Sequence, residues 1–167
     1  MNSLKPHIKV PLDNKDRAME VLSLLALGVL IALPIHYFEH LPNEIPSHFN
    51  LFGQPDQYAS KNLIWVLPTI GLVIYLSLNI LNRHPHIFNY PTIVTPQNAA
   101  RLYTIATKML RTLNCLTSIL LSYIMYSKIQ IGLGLQQNMN PFLLLVILSF
   151  FCLSTFYYLF AFMRYDP

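Results

Sequence analysis

The sequence predicts an all-α integral membrane protein, a bundle of four transmembrane helices with an ordered extracytoplasmic loop between helices 1 and 2. Its 167 residues are 54% hydrophobic and only 11% charged, whereas about a quarter of residues are charged in soluble domains. The apolar segments Ala18–Phe38, Leu63–Leu81, Leu113–Ile131 and Phe142–Met163 reach or approach the roughly 20 residues that a spanning helix requires. Between the first two, Leu41–Lys61 gathers Pro42, Pro46 and Pro55 with a glycine, a histidine and carboxylates. Prolines at that density restrict the backbone too much for a flexible linker.

Residues 1–16 mix charges with Pro6 and Pro11 without periodicity and are expected to form a cytoplasmic tail, leaving 17–167 as a single membrane domain. Helix 1, about 18–38, follows basic residues as a secretory signal does. Its apolar run is long and no small-residue cleavage site follows, so it reads as a retained helix. Pro34 near its outer end is expected to disturb the last turns. Helix 2, about 63–81, starts after Ser60 as N-cap and holds Pro68.

Helix 3, about 96–131, has Thr95 as N-cap, Pro96 in its first turn and Asn98 at N3, well before the apolar run begins. Its length is on the order of 54 Å at 1.5 Å per residue. Leu102, Ile105, Ala106 and Met109 repeat on one face, opposite a polar stripe of Arg101, Thr104, Lys108 and Arg111. That stripe suits an anchor on anionic lipid or a docking face for a cytoplasmic protein. Farther along, Asn114, Ser118 and Ser122 recur every four residues, as expected of a helix contact face in a bilayer. No charged residue sits mid-span, which argues against ion transport. Helix 4, about 141–163, opens with Asn140-Pro141 and ends in Phe156, Tyr157, Tyr158, Phe160, Phe162 and Tyr165, an interfacial aromatic cluster.

Orientation follows from loop charge. Nine lysines and arginines, from Lys5 to Arg17, Arg83 to Arg111 and Arg164, fall on one side; Lys61 and Lys128 fall on the other. The positive-inside rule then puts both termini in the cytoplasm and Leu41–Lys61 outside. The net charge of +4 is thereby an orientation signal, with no patch for nucleic acid. Cys115 and Cys152 fall within expected spans and carry no redox or metal pattern.

The outer segment reads LPxxIPxHFNxxGxPDxxxxK between spanning helices. This pattern resembles the bacterial membrane family called domain of unknown function 1648, which also forms the amino-terminal part of SdpI-type immunity proteins. The resemblance spans Val21 to Asn82 and maps Leu41, Pro42, Ile45, Pro46, His48, Phe49, Asn50, Gly53, Asp56 and Lys61 onto the family motif. His86 to Arg111 is similar to stand-alone members rather than to the second module of SdpI-type proteins. The resemblance implies a protein of the bacterial cytoplasmic membrane that binds, or protects against, an external peptide or lipid headgroup. His48, Asn50, Gly53, Asp56 and Lys61 are its candidate binding residues, with no catalytic set. The same polar residues would also serve as a rigid cap, satisfying one another.

An alternative is a metal-dependent membrane hydrolase. His36, Glu39 and His40 spell H-x-x-E-H, a spacing some zinc peptidases use, and His48 would add a ligand. The motif is short and lies where Pro34 disturbs the helix. A further alternative is signalling through a cytoplasmic protein docked on Arg101, Lys108 and Arg111.

Overall fold

The computed structural model describes residues 5–164. Its helices are α1 (Asn14–Tyr37), α2 (Val66–Asn82), α3 (Ala99–Gly132) and α4 (Pro141–Met163), with strands β1 (Glu44–Phe49) and β2 (Pro55–Ser60) between α1 and α2. Residues 1–4 of the expected tail and Tyr165 of the aromatic cluster lie outside the described residues.

α1 starts four residues earlier than expected because Asp13 and Asp16 form a capping box. Asp16 donates its amide to Asp13 Oδ1 at 2.8 Å, and Asp13 donates its own to Asp16 Oδ2 at 3.0 Å. These bonds satisfy orphan donors of the first turn. The helix continues past Pro34, which is buried, and tightens into a 3-10 turn at Phe38–His40. Ser60 is an N-cap as expected, accepting from the Asn62 amide, but the chain first makes a 3-10 turn over Lys61–Trp65 and becomes α-helical at Val66. α3 begins at Ala99, three residues later than expected, with Asn98 as its N-cap, and Thr95 and Asn98 hold the turn before it. Thr95 donates its amide to Asn98 Oδ1 at 2.8 Å, Asn98 returns one to Thr95 Oγ1 at 3.4 Å, and Ala99 donates to the Thr95 carbonyl. Asn140 caps α4 by accepting from the amides of Phe142 and Leu143.

Three helices are long and apolar enough to cross a membrane: Asn14–His40 and Lys61–Asn82, each counted with its 3-10 turn, and Pro141–Met163. Their outward faces are apolar, with Leu25, Val73 and Leu153 among the exposed side chains. α3 is the central element, packed along α1, α2 and α4, while α2 and α4 barely touch each other. Because α3 meets protein on several sides, its polar residues find partners on other helices. Ser122 donates to the Ala26 carbonyl at 2.6 Å, Ser118 Oγ lies 3.4 Å from Ser23 Oγ, and Asn114 donates to the Tyr75 carbonyl at 3.4 Å. The stripe of Asn114, Ser118 and Ser122 is a helix contact face.

Two apolar cores lie at opposite ends of the bundle. At the hairpin end, Leu27, Leu30, Leu41, Ile45, Ile64 and Met125 are buried together. At the other end, Ala99, Leu102, Tyr103 and Phe162 pack with Ile8 and Val10 of the amino-terminal segment. Tyr103 also donates its hydroxyl to the Pro6 carbonyl at 3.0 Å. Burial of the Tyr103 ring raises its hydroxyl pKa above the ordinary value.

Candidate functional site

Most of Leu41–Lys61 is a two-stranded antiparallel hairpin. Ile45 and His48 are legible as extended; the second strand is not, since Pro55–Ser60 has no apolar alternation. The hint is symmetry, two six-residue runs flanking a short Asn-to-Gly turn. The register pairs Glu44 with Ser60, Ile45 with Ala59, Pro46 with Tyr58, His48 with Gln57 and Phe49 with Pro55, with irregularities on both sides of His48. Such bulges re-aim side chains. Here they bring His48 Nδ1 to 2.7 Å from Asp56 Oδ1, across the strands and exposed.

Asn50 and Lys61, the remaining polar motif residues, are tied within the chain. Asn50 Oδ1 accepts from the amides of Phe52 at 2.9 Å and Gln54 at 3.0 Å, and its Nδ2 donates to Gln54 Oε1 at 3.0 Å. Asparagine also tolerates positive φ, but here the Asn50 side chain makes the turn, and only Gly53, at φ 75°, takes that conformation in the segment. Gly53 is buried against the connection between α3 and α4, accepting at its carbonyl from the Met139 amide at 2.8 Å. A Cβ on Gly53 would lie 2.1 Å from the Met139 carbonyl oxygen, so this docking requires glycine. Lys61 donates to the carbonyls of Phe38 and Leu41, each at 3.2 Å, and lies over the Phe38 ring at 4.9 Å. It closes the base of the hairpin and binds carbonyls released where α1 ends.

The apolar motif residues are anchors. Ile45 is 1% exposed and Leu41 4%; Cβ atoms added at Gly132 of α3 would meet both. Pro46 is fully buried. Leu51 and Phe52, by contrast, are 96% and 75% exposed at the tip. They occupy the two positions that the motif leaves open between Asn50 and Gly53.

The histidines and carboxylate whose spacing suits zinc are not gathered with His48. His36, Glu39 and His40 are exposed at the end of α1 and in the turn after it. The His36 and His40 rings are 6.5 Å apart, and His36 meets Tyr37 edge-on at 4.7 Å. Among the described residues no three His, Cys, Asp or Glu side chains come together in a metal-holding group.

Much of the basic stripe faces α1. Lys108 pairs with Asp13 and lies 4.0 Å from Asp16, while Arg111 reaches Glu20 at 2.9 Å and Asp16 at 3.4 Å. The Lys108 ammonium bonded to Asp13, helped by the Asp16 amide, draws the Asp13 carboxyl down to about 2. The reciprocal bond from Asp13 raises Lys108. Arg101 is exposed and makes its own contacts. Lys128 is not among the expected site residues, yet it is buried beneath the hairpin beside His48. Its position near the end of a spanning segment reads, in sequence, as an ordinary lysine reaching to the surface.

Comparison with known proteins identifies the segment. An uncharacterized protein of Archaeoglobus fulgidus is 28% identical over 89 residues, covering 48% of this chain and 49% of that protein. The chain thus spans about half the length of the curated relative it matches. No solved structure matches. Residues 24–72, which hold most of α1, the entire hairpin and the first turns of α2, match the family model described as Domain of unknown function (DUF1648), so the chain is similar to that family over this segment.

Proposed function

We propose that the chain is a non-enzymatic protein of a bacterial cytoplasmic membrane, crossing it four times with both termini inside, and that its outer hairpin engages an external peptide. The observation that carries this reading is the contrast within the hairpin. Leu41, Ile45, Pro46, Gly53 and Lys61 fasten it to the bundle, His48–Asp56 and Asn50 hold its shape, and Leu51 and Phe52 project with no packing role. Exposed contact residues on a rigid support are how binding loops are commonly built. A preordered apolar tip also loses little conformational freedom when an apolar peptide lands on it.

The four-span topology is supported by the packing of α3 along α1 and by the nine-to-two distribution of basic residues. α3 tolerates more polar residues than a lipid-facing span because other helices satisfy them. The similarity of the motif to SdpI-type immunity proteins supports protection from a secreted, membrane-active peptide as the biological use.

The test is expression in a host sensitive to such peptides, screened against a panel of them. Cells making the chain should survive higher concentrations of at least one peptide. The double variant Leu51→Ser, Phe52→Ser should lose that protection at unchanged membrane abundance. Equal survival with and without the chain across the panel would overturn the reading.

A further inference from the structure

Lys128 carries an inference independent of the hairpin tip. It lies one turn before the end of α3, 5% exposed, and among the described residues its ammonium makes no hydrogen bond or ion pair. A lone buried charge is costly unless a counter-charge meets it. The end of its own helix supplies little, because the carbonyls of Ile129, Gln130 and Ile131 already accept from the amides of residues 133–136.

What Lys128 does face is an open cavity of about 230 Å³ beneath the hairpin. Leu67, Ile124, Met139 and Leu144 form its apolar part, and Ser47, His48 and Asn50 of the hairpin form its polar part. Leu67 belongs to α2 and Leu144 to α4, the two helices that barely touch. Hydrocarbon from the bilayer therefore has a way in between them, toward a cation at headgroup depth. An anion that arrives with hydrocarbon attached matches both parts of this cavity.

We propose that this cavity binds one phospholipid of the hairpin-side leaflet, with its phosphate on the Lys128 ammonium and an acyl chain against Leu67, Ile124 and Leu144. Phosphate suits a lysine because the ammonium acts as a compact point charge with several donors. Headgroup recognition by basic pockets between membrane helices has the same physical basis.

The test is native mass spectrometry of the full chain in detergent, titrated separately with phosphatidylglycerol, diacylglycerol and inorganic phosphate. Wild type should retain one phosphatidylglycerol. Lys128→Met should retain it about tenfold less well, the loss expected for one charge-assisted hydrogen bond, and Lys128→Arg should restore most of it. Leu144→Trp, which leaves the lysine in place and narrows the cavity, should also weaken retention. Leu51→Ser, Phe52→Ser should leave it unchanged, separating this site from the tip. Diacylglycerol bound as well as phosphatidylglycerol, inorganic phosphate occupying the site by itself, or equal lipid retention by wild type and Lys128→Met would each overturn the proposal.

Discussion

Gly53 shows most sharply how a single residue sets this structure. It combines a positive φ with a backbone contact that leaves no room for a side chain. Gly53→Ala should therefore cost on the order of 1–3 kcal/mol, read as a lower melting temperature in detergent and faster proteolysis at residues 50–54. An unchanged melting temperature would mean that the Met139 contact does not hold the hairpin. The His48–Asp56 pair should behave differently because it is exposed. His48→Ala should cost no more than about 1 kcal/mol, yet amide exchange in β2 should speed up because the clasp across the bulge is lost. At the other end, the Asp13 carboxyl sits at about 2 against an ordinary 3.8. The unfolded chain thus binds the proton more readily, so the stabilisation is complete above 3.8 and is lost as pH falls through about 2. Protection of the Asp16 amide from exchange should fall over that window. Asp13→Asn should remove the pH dependence, and a wild-type profile flat down to about pH 2 would contradict the pairing.

At the scale of elements, the helices are largely legible in the sequence, because apolar runs and cap residues act locally. Asn140-Pro141 marks its helix start in both sequence and structure, whereas Thr95 and Asn98 hold a turn that precedes α3. Asp13 is easily passed over because apolar content begins only at Ala18, although the capping box depends on Asp13 and Asp16 alone. The hairpin is harder to read. Its pairing depends on a turn locked by the Asn50 side chain and on docking against Met139, more than 80 residues away. The polar stripe of α3 reads as a contact face, and α1 and α2 supply the partners. Replacing Ser122 or Ser118 by alanine should cost about 0.6 kcal/mol each, measured by reversible unfolding in mixed micelles. Costs near zero for both would show that packing rather than hydrogen bonding joins α1 to α3.

For the whole molecule, the candidate binding residues are mostly its framework. His48, Asn50, Gly53, Asp56 and Lys61 each meet a partner within the chain, leaving Leu51, Phe52 and the Lys128 cavity as the surfaces turned toward something else. Sequence pattern points to the segment but not to this division, since it depends on which side chains the fold turns inward. The proposed engagement of an external peptide requires the hairpin to lie outside the cytoplasm. Cysteine labelling in intact cells tests that placement most directly, using a chain with Cys115→Ala and Cys152→Ala. Phe52→Cys in that background should react with a membrane-impermeant maleimide in intact spheroplasts, and Arg101→Cys should react only after the membrane is permeabilised. Labelling of Arg101→Cys in intact spheroplasts, with Phe52→Cys protected until permeabilisation, would contradict the topology and the external hairpin with it.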